Sequence, residues 1–274
     1  MAGLTSVRDA LASLDKRDVK MPVLFVGHGS PMNAVVDNAF SRTWTEVGAT
    51  VPRPDAILCV SAHWETDGVM VTAMERPRTI HDFYGFPDAL NSKLYPAPGS
   101  PELARRARES VTKTVVALDQ SWGLDHGTWS VLARMFPRAD IPVIQLSLDR
   151  RQSPAWHYEL ARELRPLRER GVLIVGSGNI VHNLRRLNRQ LPDSGFDWAI
   201  EFDTRIAQLI EKGDHRGIVD YPALGAAARL AVPTNEHFLP LLYALALKDD
   251  TEPVTYFNDR LNMGGISMRS LYIG

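Results

Sequence analysis

One recurrence constrains this chain more than anything else in it. An apolar run, Pro22-Val23-Leu24-Phe25-Val26-Gly27, stops at His28-Gly29-Ser30-Pro31. Ala56-Ile57-Leu58-Cys59-Val60-Ser61-Ala62 delivers His63 in the same way, and Val172-Leu173-Ile174-Val175-Gly176-Ser177-Gly178 leads into His182. Short continuous apolar runs bounded by Gly, Ser and Pro read as strands buried on both faces, the strands of helix-covered parallel sheets. Ligands of such folds sit beyond the carboxyl ends of the strands. Three strands that each end in a histidine therefore bring three imidazoles to one sheet edge.

The rest of the chain alternates between helical and strand patterns. Leu4, Val7, Leu11 and Leu14 fall at helical spacing and predict a short amphipathic helix over 4–16. Further helices are expected over 37–47, 102–112, 130–136, 154–170, 198–212, 222–231 and 238–247, the last with Thr234 or Asn235 as cap. Strands are expected at 69–73, 115–118, 142–148, 254–257 and 266–273. Between Pro77 and Pro101 lies an irregular stretch rich in Pro, Gly and aromatics, long enough that loop statistics give a pocket cover as much weight as a mere cap on the core. With no repeat and no linker, the economical architecture is one α/β domain over 1–274, with 1–20 as an N-terminal helical extension. Its central twisted sheet is mixed or mostly parallel and flanked by helices.

Charge and composition exclude several classes of function. The 31 basic and 32 acidic residues leave no electrostatic footprint for nucleic acid or an anionic membrane surface. The single cysteine, Cys59, rules out an intramolecular disulfide framework and reads as a small buried hydrophobe. The N-terminal stretch carries Arg8, Asp9, Asp15, Lys16 and Arg17 and no apolar core, so no secretory signal is expected there. The longest apolar stretch, Leu239 to Leu247, is too short to span a bilayer. A cytoplasmic protein is the expectation, and the sequence leaves its oligomeric state open.

Eight histidines carry the chemistry. His157 and His215 lie in charged surroundings and are expected at the surface. His81 sits in the aromatic loop, where it can touch a ligand. His28, His63, His126, His182 and His237 each stand at a strand end or helix start beside Gly, Ser, Trp or Asn. A lone histidine in such a place is ordinarily a hydrogen-bonding residue, but five together suggest a metal site of nitrogen and oxygen donors, suited to zinc, iron or copper. Asp82, Asp125 and Glu236 are the carboxylates nearby. Two histidines with one carboxylate, His28, His63 and Glu236, would match the facial arrangement of non-haem Fe(II) oxygenases, whereas zinc favours three histidines and a water. Spacing does not choose between them. Gly176-Ser177-Gly178-Asn179 matches no phosphate-binding fingerprint, and neither Ser30 nor Ser177 lies in a nucleophile elbow.

Read together and in order, His28-Gly29-Ser30-Pro31, Ser61-Ala62-His63-Trp64, His81-Asp82-Phe83-Tyr84-Gly85-Phe86-Pro87, Asp125-His126-Gly127, Gly176-Ser177-Gly178-Asn179 with His182-Asn183, and Asn235-Glu236-His237-Phe238 resemble one family. It is that of the class III (LigB-type) extradiol ring-cleavage dioxygenases, in the branch that opens DOPA at its 4,5 bond. The resemblance covers residue 21 to the end. It implies a LigB-like α/β fold and a metal site of His28, His63 and His237, with His182 as a fourth ligand when substrate is absent. The metal would be Fe(II) for activity, with Zn(II) able to occupy the same site on purification. The substrates would be a small catechol and O2. His182 is implied as catalytic base and acid, with His126 as its partner. Asp125 and Glu236 would stand behind the ligands, and His81, Tyr84 and Ser30 would contact substrate. Arg76, Arg78, Arg185 and Arg269 are the arginines that could anchor a substrate carboxylate. Two further readings are a zinc-dependent hydrolase using the same histidines and a non-catalytic metal-binding member of the superfamily.

Overall fold

Strand β1 (Val23–Gly27) is buried at every position, as an unbroken apolar run requires when both its faces are covered. The computed structural model describes residues 20–274, so the helix expected over 4–16, and all but the last residue of the 1–20 extension, lie outside the described residues. Helix α1 (Ala39–Thr50) opens with a reciprocal cap, the Asn38 side chain accepting from the Ser41 amide while the Ser41 hydroxyl accepts from the Asn38 amide. Strands β2 (Ala56–Thr66) and β3 (Val69–Thr72) follow. The irregular stretch beyond them contains one short helix, α2 (Asp88–Asn91). Next come α3 (Pro101–Ser110), β4 (Val116–Asp119), α4 (His126–Met135), β5 (Val143–Asp149) and α5 (Pro154–Arg162). The chain continues through β6 (Val172–Gly178), α6 (Asp197–Glu211), α7 (His215–Val219), α8 (Ala226–Ala231) and α9 (Leu239–Ala246). It closes with β7 (Val254–Phe257), β8 (Leu261–Asn262), β9 (Ile266–Ser267) and β10 (Ser270–Ile273).

Eight strands form one sheet in the order β4-β3-β5-β2-β6-β1-β10-β7. Its centre, β5-β2-β6-β1, is parallel, and antiparallel pairings join β3 to β5 and β10 to both β1 and β7. The described residues thus form the single α/β unit with a mixed, helix-flanked sheet that the alternation of patterns predicts. One apolar layer packs Leu103, Leu160, Phe202, Ala228 and Leu242 from α3, α5, α6, α8 and α9 against the sheet. The opposite layer uses Trp44 of α1 with Trp129 and Leu132 of α4. Cys59 is fully buried in that second layer, which pushes its thiol pKa up and leaves it inert. Among the described residues no helix is long and apolar enough to cross a membrane.

Several elements depart from expectation for local reasons. The helix expected over 154–170 breaks after Arg162, because Pro166 cannot donate into a continuing α-helix; a 3-10 turn, Arg165–Arg170, replaces the rest. Gly225, at φ 97°, splits 222–231 into a 3-10 turn and α8. The tail strand over 266–273 is two strands in different sheets. α4 begins at His126, ahead of the expected start, because the Asp125 side chain accepts from the Thr128 amide and caps it. Neither Thr234 nor Asn235 caps α9 with a side chain; Phe238 takes the cap position and donates its amide to the Asn235 carbonyl. His157 is buried rather than exposed: with Leu160 and Ala161 it forms the inner stripe of α5. It contacts the Tyr243 hydroxyl at 3.0 Å and the Asp149 carbonyl at 3.1 Å, and burial lowers its pKa to about 4. His215 is half-buried against the Tyr158 hydroxyl.

Candidate metal centre and substrate cavity

The parallel strands stop together at one edge. Gly27 of β1 pairs with Gly178 of β6, and the amide of His28 donates to the Gly178 carbonyl at 3.1 Å, so His28 leaves the sheet at its lip. In β2 the register with β5 slips between Val60 and Glu65, and the bulge of Ser61, Ala62, His63 and Trp64 re-aims His63 toward the same place. The Asp125 cap that starts α4 puts His126 on its first turn. His182 follows β6, its amide donating to the Ala231 carbonyl at 2.9 Å. His237 is carried by the segment before α9, whose carbonyl at His237 accepts from the Asn179 amide at 2.8 Å. A Cβ on Gly178 would collide with that carbonyl, so β6 ends in glycine for close approach rather than as a phosphate loop.

Five imidazoles meet here. The Nε2 atoms of His28 and His63 are 3.1 Å apart, and the His237 ring centroid lies 5.3 Å from that of His28 and 4.9 Å from that of His63. His126 packs on His63 at 3.9 Å between centroids, and His182 stacks on His237 at 3.5 Å with planes 7° apart. Donor atoms within 4.8 Å of one another fall into two trios, His28–His63–His126 and His182–Glu236–His237. The expected ligand set draws from both.

Hydrogen bonds decide which ring nitrogens can take a metal. The Ser177 hydroxyl gives its one proton to the Gly127 carbonyl at 2.5 Å, so at 3.0 Å it must accept from His28 Nδ1. His28 Nε2 is then left with its lone pair. Glu236 Oε1, 3.0 Å from His237 Nδ1, sets the same tautomer in His237, whose buried Nε2 has no partner. Asp82 Oδ2 lies 3.4 Å from His63 Nδ1, and its Oδ1 lies 3.0 Å from His126 Nδ1 while accepting the His126 amide at 2.9 Å. Burial first, then the neighbouring imidazoles, hold His28 and His237 well below the usual histidine pKa. Burial lowers His63 to about 3 and His182 to about 4, against the raising effect of Asp82 and Glu236 respectively. Burial would raise Asp82, but the His126 contact outweighs it and holds the carboxyl low. Burial thus keeps His28, His63, His182 and His237 neutral, and the lone pairs of His28 Nε2 and His237 Nε2 face the centre. Two nitrogens each about 2.1 Å from one ion at a near-right angle stand about 3 Å apart, the separation of His28 Nε2 and His63 Nε2. The residues fit a metal ion.

The centre opens into a cavity of about 500 Å³ with mostly apolar walls. Phe83 and Phe86 form one side, so part of the long aromatic loop does wall the site. Leu184, Leu187 and Met263 form another, and Ser30 stands at the rim. Two loop residues expected to meet substrate do not line the cavity. Tyr84 is 95% exposed, and His81 points its Nε2 at the Lys93 carbonyl, 2.9 Å away, bracing the loop. Asp125 is wholly buried and touches no imidazole through its carboxylate; it accepts from Ser61 Oγ, which accepts the His63 amide. Its pKa is pushed up, by burial before anything else. The carboxylates beside the histidines are Glu236, at His237, and Asp82, at His63 and His126. Of the four arginines considered as anchors, none lines the cavity: Arg269 is tied to Asp203 and Asp259, and Arg78 donates to the Trp122 carbonyl. Arg189 does line it, and nothing in the sequence singled it out.

Comparison with known proteins agrees with this geometry. The family model described as the catalytic LigB subunit of aromatic ring-opening dioxygenase matches residues 22–268. A protein of Escherichia coli K12 named 4,5-DOPA dioxygenase extradiol is 47% identical over 272 residues, 98% of each chain. The Beta vulgaris protein of the same name is 36% identical over 253 residues, 90% of this chain and 94% of the other. The crystal structure of an uncharacterized Escherichia coli K12 protein superposes with a TM-score of 0.79 at 43% identity, covering 93% of this chain and all of that one. The chain belongs to the LigB family of aromatic ring-opening dioxygenases and is a class III extradiol dioxygenase.

Proposed function

We propose that this enzyme uses Fe(II) and O2 to open a catechol carrying an amino-acid side chain, L-DOPA at its 4,5 bond. The observation that carries the reading is the convergence of ring nitrogens from His28, His63 and His237, those of His28 and His237 left unprotonated by their hydrogen bonds, at the head of an apolar cavity that also holds His126 and His182. The names of the relatives support the substrate class. His28, His63 and His237 would hold the ion, with His182 as a fourth donor when substrate is absent. Bound Fe(II) would acidify the catechol hydroxyls and link ring and oxygen electronically.

The remaining work falls to the protein. Burial keeps His182 neutral at pH 7, so it can accept a catechol proton and return it later. His126, with Nδ1 turned to Asp82, keeps Nε2 free to accept a second proton or hydrogen bond. Phe83 and Phe86 face the ring and exclude water from the reacting carbons. The Ser30 hydroxyl at the rim accepts only the Met32 amide, at 3.3 Å, and keeps its proton for substrate.

Anaerobic loading with Fe(II), followed by oxygen electrode and visible absorbance measurements on L-DOPA and simple catechols, tests the reading. One O2 consumed per catechol with a new visible band is expected. No oxygen uptake with any catechol sinks it. The same nitrogen donors would also hold Zn(II), so metal content on purification does not discriminate; turnover of the zinc form without oxygen would instead indicate a hydrolase.

A further inference from the structure

We infer that Arg189 is the specificity residue of this cavity, binding a carboxylate on the substrate's side chain and selecting catechols that carry one over those that do not. The inference rests on the ring-cleavage reading for the catechol, and on the structure for the anchor. Arg189 lines the same cavity as the five histidines from its solvent-exposed side, and its guanidinium makes no hydrogen bond or ion pair among the described residues. Asp82, also on the wall, has its oxygens committed to His63 and His126 and does not neutralise it. An unpaired guanidinium beside apolar walls is a ready partner for a carboxylate, which it can grip through two parallel hydrogen bonds.

Its position is fixed from behind. The stretch from His182 to Arg189 forms one wall of the cavity, and the backbone is pinned along it. The Asn183 amide donates to the Gly265 carbonyl at 2.9 Å, and the Asn183 side chain donates to the Leu230 carbonyl at 2.7 Å. The Asn188 amide donates to the Met263 carbonyl at 2.8 Å. Met263 is itself held at φ 49°, a strained left-handed conformation for a side chain of its size. Arg189 is therefore presented by a braced wall, with Leu184 and Leu187 between it and His182 to cover a methylene chain. A ring whose hydroxyls lie at the histidines would extend its side chain along that wall toward Arg189.

Binding without turnover isolates this residue from the chemistry. Metal-loaded enzyme is titrated anaerobically, by calorimetry, with 3-(3,4-dihydroxyphenyl)propionate, 4-methylcatechol and dopamine. Wild type should bind the carboxylate most tightly. Arg189→Gln should weaken that ligand about tenfold, leave 4-methylcatechol unchanged and not weaken dopamine. Arg189→Lys should recover part of the loss. Equal weakening of all three ligands, or none for the carboxylate, overturns the inference while leaving ring cleavage standing. Arg189-dependent carboxylate binding without oxygen consumption would uphold it and remove the ring-cleavage reading instead.

Discussion

The Nε2 atoms of His28 and His63 stand 3.1 Å apart; the bond from His28 Nδ1 to Ser177 turns the His28 lone pair toward His63, whose Nδ1 faces Asp82 Oδ2 at 3.4 Å. Without a cation a single proton on His63 Nε2 can bridge the pair, whereas a bound ion takes both nitrogens as ligands. Metal should therefore stabilise the protein markedly. With the ion at about 100 times its Kd, linkage gives about 2.7 kcal/mol, or a rise in Tm of roughly 5–10 °C. Anaerobic thermal denaturation with and without Fe(II) or Zn(II) measures it. His28→Ala and His237→Ala should lose most of the rise, and an unchanged rise in either would remove that residue from the ligand set.

Asp82 holds two imidazoles with one carboxylate, His126 through Oδ1 and His63 through Oδ2. Replacing it with asparagine removes the charge that orients both rings while keeping the shape. Losing such a support behind a ligand typically costs 10–100-fold in metal affinity or activity. Asp82→Asn should show a loss of that order in a competition titration against a chelator. Asp125→Asn alters the α4 cap and a hydrogen bond two steps from the ring, so its loss should appear in Tm before it appears in affinity.

The contrast between these two aspartates shows what the sequence could carry. Each strand that delivers a histidine was legible, because an apolar run ending in Gly or Ser is a local pattern, and the order of the motifs placed all five rings together. Partners were not, because a hydrogen bond between Ser177 and His28 joins residues 149 positions apart. Asp125 looked important by adjacency to His126, yet adjacency at a helix start turns the capping side chain back on its own helix. Tyr84, a substrate contact only by the family resemblance, turns to solvent while its neighbours Phe83 and Phe86 line the cavity. His157 was legible at i, i+3, i+4 spacing with Leu160 and Ala161 but was read through the charges around it. Arg189 lies close to Arg185 and Arg186, and only its place on the cavity wall distinguishes it.

Glu252 makes stability pH-dependent away from the metal centre. Burial would raise its pKa, but hydrogen bonds from Arg168, the Asp249 amide and Lys20 overcome this and lower it to about 2 from 4.5. A depressed folded-state pKa contributes stability above the unfolded value, lost as pH falls from about 4.5 toward 2. Allowing for solvent screening, the contribution is about 1–2 kcal/mol. Glu252→Gln should be less stable than wild type in urea at pH 6, with the gap narrowing by that amount at pH 2.5. A gap that stays constant over this range would mean that the Arg168 contact does not depend on the charge of Glu252.

Gly178 sets the distance between β6 and the segment that carries His237. A Cβ there would strike the His237 carbonyl, which the Asn179 amide holds at 2.8 Å, and would also come within 3.1 Å of the Pro240 ring. Backbone cannot yield as a flexible side-chain tip does, so Gly178→Ala must push His237 away from His28. Overpacking of this kind costs about 1–3 kcal/mol, and here the displaced atom belongs to a proposed metal ligand. Stability and metal affinity should fall together. Gly213→Ala supplies the comparison: at φ 67° it strains the backbone by about 1 kcal/mol, but nothing lies within 4 Å of the added carbon. That variant should lose stability and keep its affinity. If Gly178→Ala behaves like Gly213→Ala, with metal affinity intact in a chelator competition, then the close approach at the end of β6 does not set the position of His237.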